Sequence, residues 1–265
     1  MENSRFNEFL KWLAVGSLLV VQTALLWAVS PAEIGNKWTT LLQKHVVATE
    51  KEGVKLNGVD YDKIESDPIF IELLRQLASS SLVIPVESKE KMAFWINVYN
   101  IGAVRLVVKH HPEHSIRDIG YLFSPVWKKK AIQIAGKWYS LDEIENRILR
   151  PMGDPRIHFA IVCASISCPD LRNEAYSALQ LDKQLDDQVR RFLQNTGKGL
   201  RFESGTVRVS KIFTWFAKDF RKNGGVQAFI QKIIPLEPGS RLAYLPYNWE
   251  LNCIHKKEQG KGNAQ

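Results

Sequence analysis

Cysteine and methionine are both scarce, three of each in 265 residues, and so few cysteines exclude a disulfide-built scaffold. No glycine-rich phosphate loop, no His-Glu-x-x-His pair and no doubled Cys-x-x-Cys occurs, which removes the common nucleotide and zinc sites. Neither a metal nor a cofactor is therefore expected. After Ile34 no low-complexity linker and no internal repeat interrupts the chain. What is present is ordinary globular material: 45% hydrophobic and 24% charged residues, with eight Trp, seven Tyr and twelve Phe to fill a core. The formal charge of +8 makes the surface basic, which by itself does not separate nucleic acid from anionic lipid as a partner. The aromatics follow core spacing instead of forming a stacking platform, so no nucleic-acid partner is expected.

Charge is missing altogether from Trp12 to Ser30, nineteen residues preceded by Arg5 and Lys11 and carrying Trp12 and Trp27 near their ends. A bilayer-spanning helix needs about 20 apolar residues, and tryptophan belts mark its interfaces. A cleavable signal peptide is the rival reading, because Ser30 and Ala32 place small residues before a possible cut, although the run exceeds the usual apolar core of roughly 7–15 residues. A core helix fits less well, since the run is apolar on all sides. Both leading readings place the rest outside the cytosol, periplasmic in a Gram-negative cell.

The expected organisation is an N-terminal membrane anchor or signal helix (1–33), one α+β domain, mostly helical with a small sheet (34–254), and a polar tail (255–265). Leu41, Leu42, His45, Val46 and Ala48 suggest an amphipathic helix, followed by a turn over residues 53–58. Pro68 opens a helix with Ile69, Leu73, Leu74 and Leu77 inward. Ser88 is expected to cap a long helix that runs to about His111 and is ended by Pro112. Residues 132–139 read as two strands turning at Gly136, and Ser140-Leu-Asp-Glu143 as a capping box. Ile157 to Cys163 has the apolar length of a strand. A helix over Leu181–Leu193, a hairpin turning at Gly205 and a strand near Leu242–Leu245 complete the reading.

Four segments stand out together: Ala93-Phe-Trp-Ile-Asn-Val-Tyr-Asn100, Ser140-Leu-Asp-Glu-Ile-Glu-Asn-Arg-Ile-Leu-Arg150, His158-Phe-Ala-Ile-Val-Cys-Ala-Ser-Ile-Ser-Cys-Pro169 and Tyr247-Asn-Trp-Glu-Leu-Asn252. In order and spacing the chain resembles the bacterial branch of domain-of-unknown-function family 547 over roughly residues 65–252. The resemblance implies a domain without an established reaction. It also implies a frequent His after the Ile-Glu pair, where this chain has Asn146.

Cys163 is the candidate nucleophile, since a thiolate held in a small-residue turn attacks carbonyl carbon once its pKa is lowered. Two plainer readings stand beside it: a buried small hydrophobe, and a disulfide with Cys168 or between Cys168 and Cys253. His158 is the candidate base. Five steps along a straight strand would separate the two by about 16 Å and put them on opposite faces, so the pair requires a sharp bend. Glu145 is a candidate orienting acid or an ion-pair partner of Arg147 or Arg150. Asn97 and Asn100, on one helix face, either hold a substrate amide or tie the helix to a neighbouring loop. The sequence thus points to a membrane-tethered, thiol-dependent hydrolase or acyl transferase, with a non-catalytic envelope module that binds a protein or polymer as the alternative.

Overall fold

A computed structural model describes residues 28–254 except 122, 123, 204 and 238. The apolar run up to residue 27 and the polar tail from 255 lie outside the described residues. Among the described residues no helix is long and apolar enough to cross a membrane.

Helix α1 (Pro31–His45) starts with Pro in its first turn and with the Ser30 hydroxyl accepting from the Glu33 N–H. Its buried side chains include Ile34, Trp38, Leu41 and Leu42. The helix ends at His45, so Val46 and Ala48 belong to strand β1 (Val46–Lys51), which pairs antiparallel with β2 (Val54–Val59). The β-branched pair Val46-Val47 favours the extended chain over another helical turn. The expected turn over 53–58 shrinks to Glu52 and Gly53, both with positive φ. Helices α2 (Tyr61–Ser66) and α3 (Pro68–Ala78) follow, capped by Asp60 and Asp67.

Helix α4 (Ser88–His110) is buried from Met92 to Val108 on every face except at Arg105. A helix apolar all round belongs at the centre of a fold, and α4 contacts α1, α2 and β3. Ser88 does not cap it; Glu87 occupies the cap position without a side-chain bond. Gly102 admits the neighbouring chain, because a Cβ there would stand 3.2 Å from Leu141 Cδ2. The hairpin β3 (Lys130–Ile134) and β4 (Lys137–Ser140) turns through Ala135 and Gly136, and the Ser140 capping box then starts α5 (Leu141–Glu143). This continues as a π-turn over Ile144–Leu149.

Residues 157–163 are not a strand. Ile157–Ala160 form a single helical turn, α6, after which the chain extends to Cys163. The Asp154 carboxylate accepts from the Arg156 N–H and starts the turn. The Asn100 amide then satisfies Ala160 O and Val162 N, the groups a sheet partner would have taken. A short apolar run buried on all sides carries no period that separates strand from helix.

Two cores share this segment. The larger surrounds α4 and includes Ile157 and Ala160. The smaller centres on Phe159 with Phe192 of α7 (Leu181–Gln194), Phe213 of α8 (Ile212–Trp215), Phe220 and Phe229 of α9 (Gly225–Gln231). A sheet of antiparallel β5 (Leu200–Glu203) and β6 (Thr206–Val209), with β7 (Arg241–Tyr244) parallel to β6, closes the second core. Among the described residues the architecture is α+β, with three small sheets in place of one.

Candidate active site

A cleft of about 390 Å³ opens where the two cores meet. The chain on either side of α6 supplies its floor. Asn100 pins residues 160 and 162 by two hydrogen bonds of 2.9 and 3.0 Å, which fixes the backbone that presents Cys163. Ala164 then takes a left-handed conformation, φ 56°, rare for a residue with a Cβ. Sequence spacing on a straight strand separates His158 from Cys163; the helical turn and the bend bring both into the wall of one cleft, together with Glu145.

The Cys163 sulfur lies 3.1 Å from Ser165 Oγ and 3.2 Å from Tyr247 Oη, while its own N–H points to Cys168 Sγ at 2.8 Å. Burial pushes the thiol up, but hydrogen bonds from Cys168, Ser165 and Tyr247 outweigh it and bring Cys163 down to about 7. Cys168 moves the other way, well above the usual thiol range, through burial and the adjacent Cys163. Tyr247 is likewise raised by burial and by Cys163, so its phenol keeps its proton and donates to the sulfur. All three cysteines are free thiols. Among the described residues no imidazole is hydrogen-bonded to the Cys163 sulfur.

His158 is fully buried and stacked on Phe216 at 3.9 Å between ring centres. Its Nε2 is 2.7 Å from Asp219 Oδ2, and Asp219 also accepts two bonds from Arg150 at 2.7 and 2.9 Å. The Arg150 guanidinium lowers the Asp219 carboxyl, which therefore stays ionised, accepts a hydrogen bond from Nε2–H and leaves Nδ1 as the bare nitrogen. That Nδ1 is buried without a partner. Burial depresses the imidazole to about 4 despite Asp219, so it is neutral at ordinary pH.

Glu145 receives the Tyr99 hydroxyl at 3.3 Å. It is not ion-paired with Arg150, whose partners are Asp219 and Asn146, nor with Arg147, which approaches Glu143. Burial raises the Glu145 carboxyl to about 7. The unfolded group loses its proton near 4.5 and the folded one near 7, so its contribution is whole below the first value and lost as pH rises through the second. Glu145→Gln should remove that slope and raise the unfolding free energy above about pH 7 by up to roughly 3 kcal/mol. Denaturant titrations of both proteins across this range check it.

Asn97 and Asn100 do not line the cleft. Asn97 exchanges two hydrogen bonds with the backbone of Tyr176, at 2.8 and 2.9 Å, as Asn100 does with residues 160 and 162. Both amides are spent on neighbouring backbone. Asn100→Ala should lower stability by roughly 1–3 kcal/mol, because buried backbone groups lose their partners; a thermal melt measures it. At the rim, Asn146 accepts from Arg150 at 2.6 Å and donates to Asp142 at 2.9 Å.

Sequence reasoning missed Asp219, Ser165 and the aromatic wall. Trp215 stacks on Trp249 at 5.7 Å, and Tyr247 lies 4.6 Å from Trp249. Tyr247 and Trp249 fall within a segment that carries the resemblance and could have been found there. Asp219, in Ala-Lys-Asp-Phe220, has no local signal. No curated protein and no solved structure matches the chain. Residues 85–193, which include α4, Glu145, His158 and Cys163 but end before Asp219 and Tyr247, match the model of the family described as protein of unknown function DUF547.

Proposed function

We propose that the chain is a membrane-tethered, extracytoplasmic thiol-dependent hydrolase or acyl transferase with Cys163 as nucleophile. The observation that carries this reading is the Cys163 sulfur at a cleft wall, 3.1 Å from Ser165 Oγ and 3.2 Å from Tyr247 Oη, two hydroxyls that favour its thiolate. The thiolate attacks an ester or amide carbonyl and forms a thioester. Glu145, which holds its proton to about 7, donates it to the departing alcohol or amine. Water, or a second acceptor, then attacks the thioester with the Glu145 carboxylate as base. The hydroxyl and thiol donors around the sulfur are neutral, so no imidazolium partner is needed for its activation.

The test is acylation of the full chain with an activated ester such as p-nitrophenyl acetate. An acyl group on Cys163, found by peptide mass, is expected. A Cys163 that stays unmodified in the folded, reduced protein overturns the reading. The alternative, an envelope module that binds a protein or polymer without chemistry, is favoured by the missing imidazole contact; it predicts that same unmodified thiol. For the tether, protease added to spheroplasts should digest the domain, and carbonate washing should leave the chain in the membrane pellet. Protection from the protease contradicts the orientation, and release at reduced mass identifies a cleaved signal peptide.

A further inference from the structure

Two thiols share the cleft, and acyl transfer uses one. Cys163 is partly open at the floor, and Cys168 is buried behind it with 4% of its surface exposed. The chain between them folds back on itself through the left-handed Ala164 and a turn in which the Cys168 N–H donates to Ser165 O at 3.1 Å. This fold brings Cys168 Sγ to 2.8 Å from the Cys163 N–H. Cys253 lines no part of this cleft; its sulfur lies 3.7 Å from Lys51 Nζ.

We infer that Cys163 and Cys168 form a reversible dithiol–disulfide couple whose oxidant is a low-molecular-weight disulfide, with Cys163 the attacking thiol and Cys168 the resolving one. The inference shares with the proposed function only the premise that the Cys163 sulfur is reached from the cleft. In the first step the Cys163 thiolate attacks one sulfur of the small disulfide. A mixed disulfide forms, the original sulfur–sulfur bond breaks, and one small thiolate leaves and takes a proton from water. In the second step Cys168 gives its proton to solvent and attacks the Cys163 sulfur, expelling the second small thiolate. The balance is two protein thiols oxidised to one disulfide and one small disulfide reduced to two thiols.

The order of attack follows from the surroundings. Apart from burial, Cys168 is held protonated by the neighbouring Cys163, both as hydrogen-bond partner and as charge. Once Cys163 is a neutral mixed disulfide those two causes are gone. The Cys163 N–H and the field of Lys198, which both favour the Cys168 thiolate, remain. Modification of the first thiol therefore readies the second. The couple also closes the nucleophile to acylation while it is oxidised.

Oxidised glutathione with the full reduced chain is the test. The tryptic peptide 157–172 contains both cysteines and is expected to lose two hydrogens and retain no glutathione. Reduced glutathione in excess should reverse the change. Cys168→Ser should instead keep glutathione on Cys163, and Cys253→Ser should behave as the unaltered chain. Cys168→Ala repeats the test if the serine variant melts early. A stable glutathione adduct in the unaltered chain, a bridge to Cys253, or no change in peptide 157–172 overturns the couple. Acylation of Cys163 without disulfide formation removes the couple and leaves the hydrolase reading; the disulfide without acylation does the reverse.

Discussion

Cys163→Ala is expected to abolish turnover of activated esters, because no other side chain in the cleft combines a nucleophilic atom with a lowered proton affinity. Loss of the sulfur removes a small group from the floor and leaves two hydroxyls, Ser165 and Tyr247, 3.5 Å apart and able to bond to each other. The melt should therefore move little. Tyr247→Phe is the companion variant. It keeps the ring against Trp249 and removes one donor, so the midpoint of the alkylation rate against pH should rise above about 7. Iodoacetamide kinetics measure this directly. An unchanged midpoint would show that the phenol does not hold the thiolate.

Phe159→Ala is expected to cost roughly 3–5 kcal/mol, the range for large aromatic truncations in a closed core. Phe159 is fully buried and touches four other rings: Phe229 at 5.8 Å, Phe213 at 5.6 Å, Phe192 at 5.4 Å and Phe220 at 6.3 Å. It follows His158 directly, so the cavity would open beside the imidazole. Urea titration of the variant should show the loss, and a change below about 1 kcal/mol would mean that the ring cluster collapses into the space. Phe159→Leu restores part of the volume and should recover part of the loss.

The parts of the fold legible in the sequence are those with a local cause. The Ser140 capping box, the Pro68 helix start and the hairpin at Gly205 form as their residues dictate. The long helix was also legible, since Ala93 to Asn100 is apolar on more than one face and α4 is buried on nearly all of them. The strand expected over 157–163 failed for the opposite reason. Its conformation is set by Asn100, 60 residues away from Ala160, and not by its own pattern. The same remote contact decided the site. Cys163, His158 and Glu145 were identifiable as chemistry-bearing residues, but the bend that gathers them was not. Asp219 is 61 residues from His158, and only the second core brings it there.

That distance along the chain has a consequence for the order in which the protein matures. Tyr247 reaches Cys163 across 84 residues, and the sheet that supports its segment needs the parallel pairing of β7 with β6. Contacts so remote in sequence form late, because loop closure must precede them. Until the C-terminal strand docks, Cys163 lacks the phenol and Cys253 lacks its place beside Lys51. A nascent chain thus passes through an interval in which Cys163 and Cys253 both lack their native surroundings. Cys168, five residues from Cys163, is then the nearer thiol, and Cys253 takes its place only once the C-terminal segment docks.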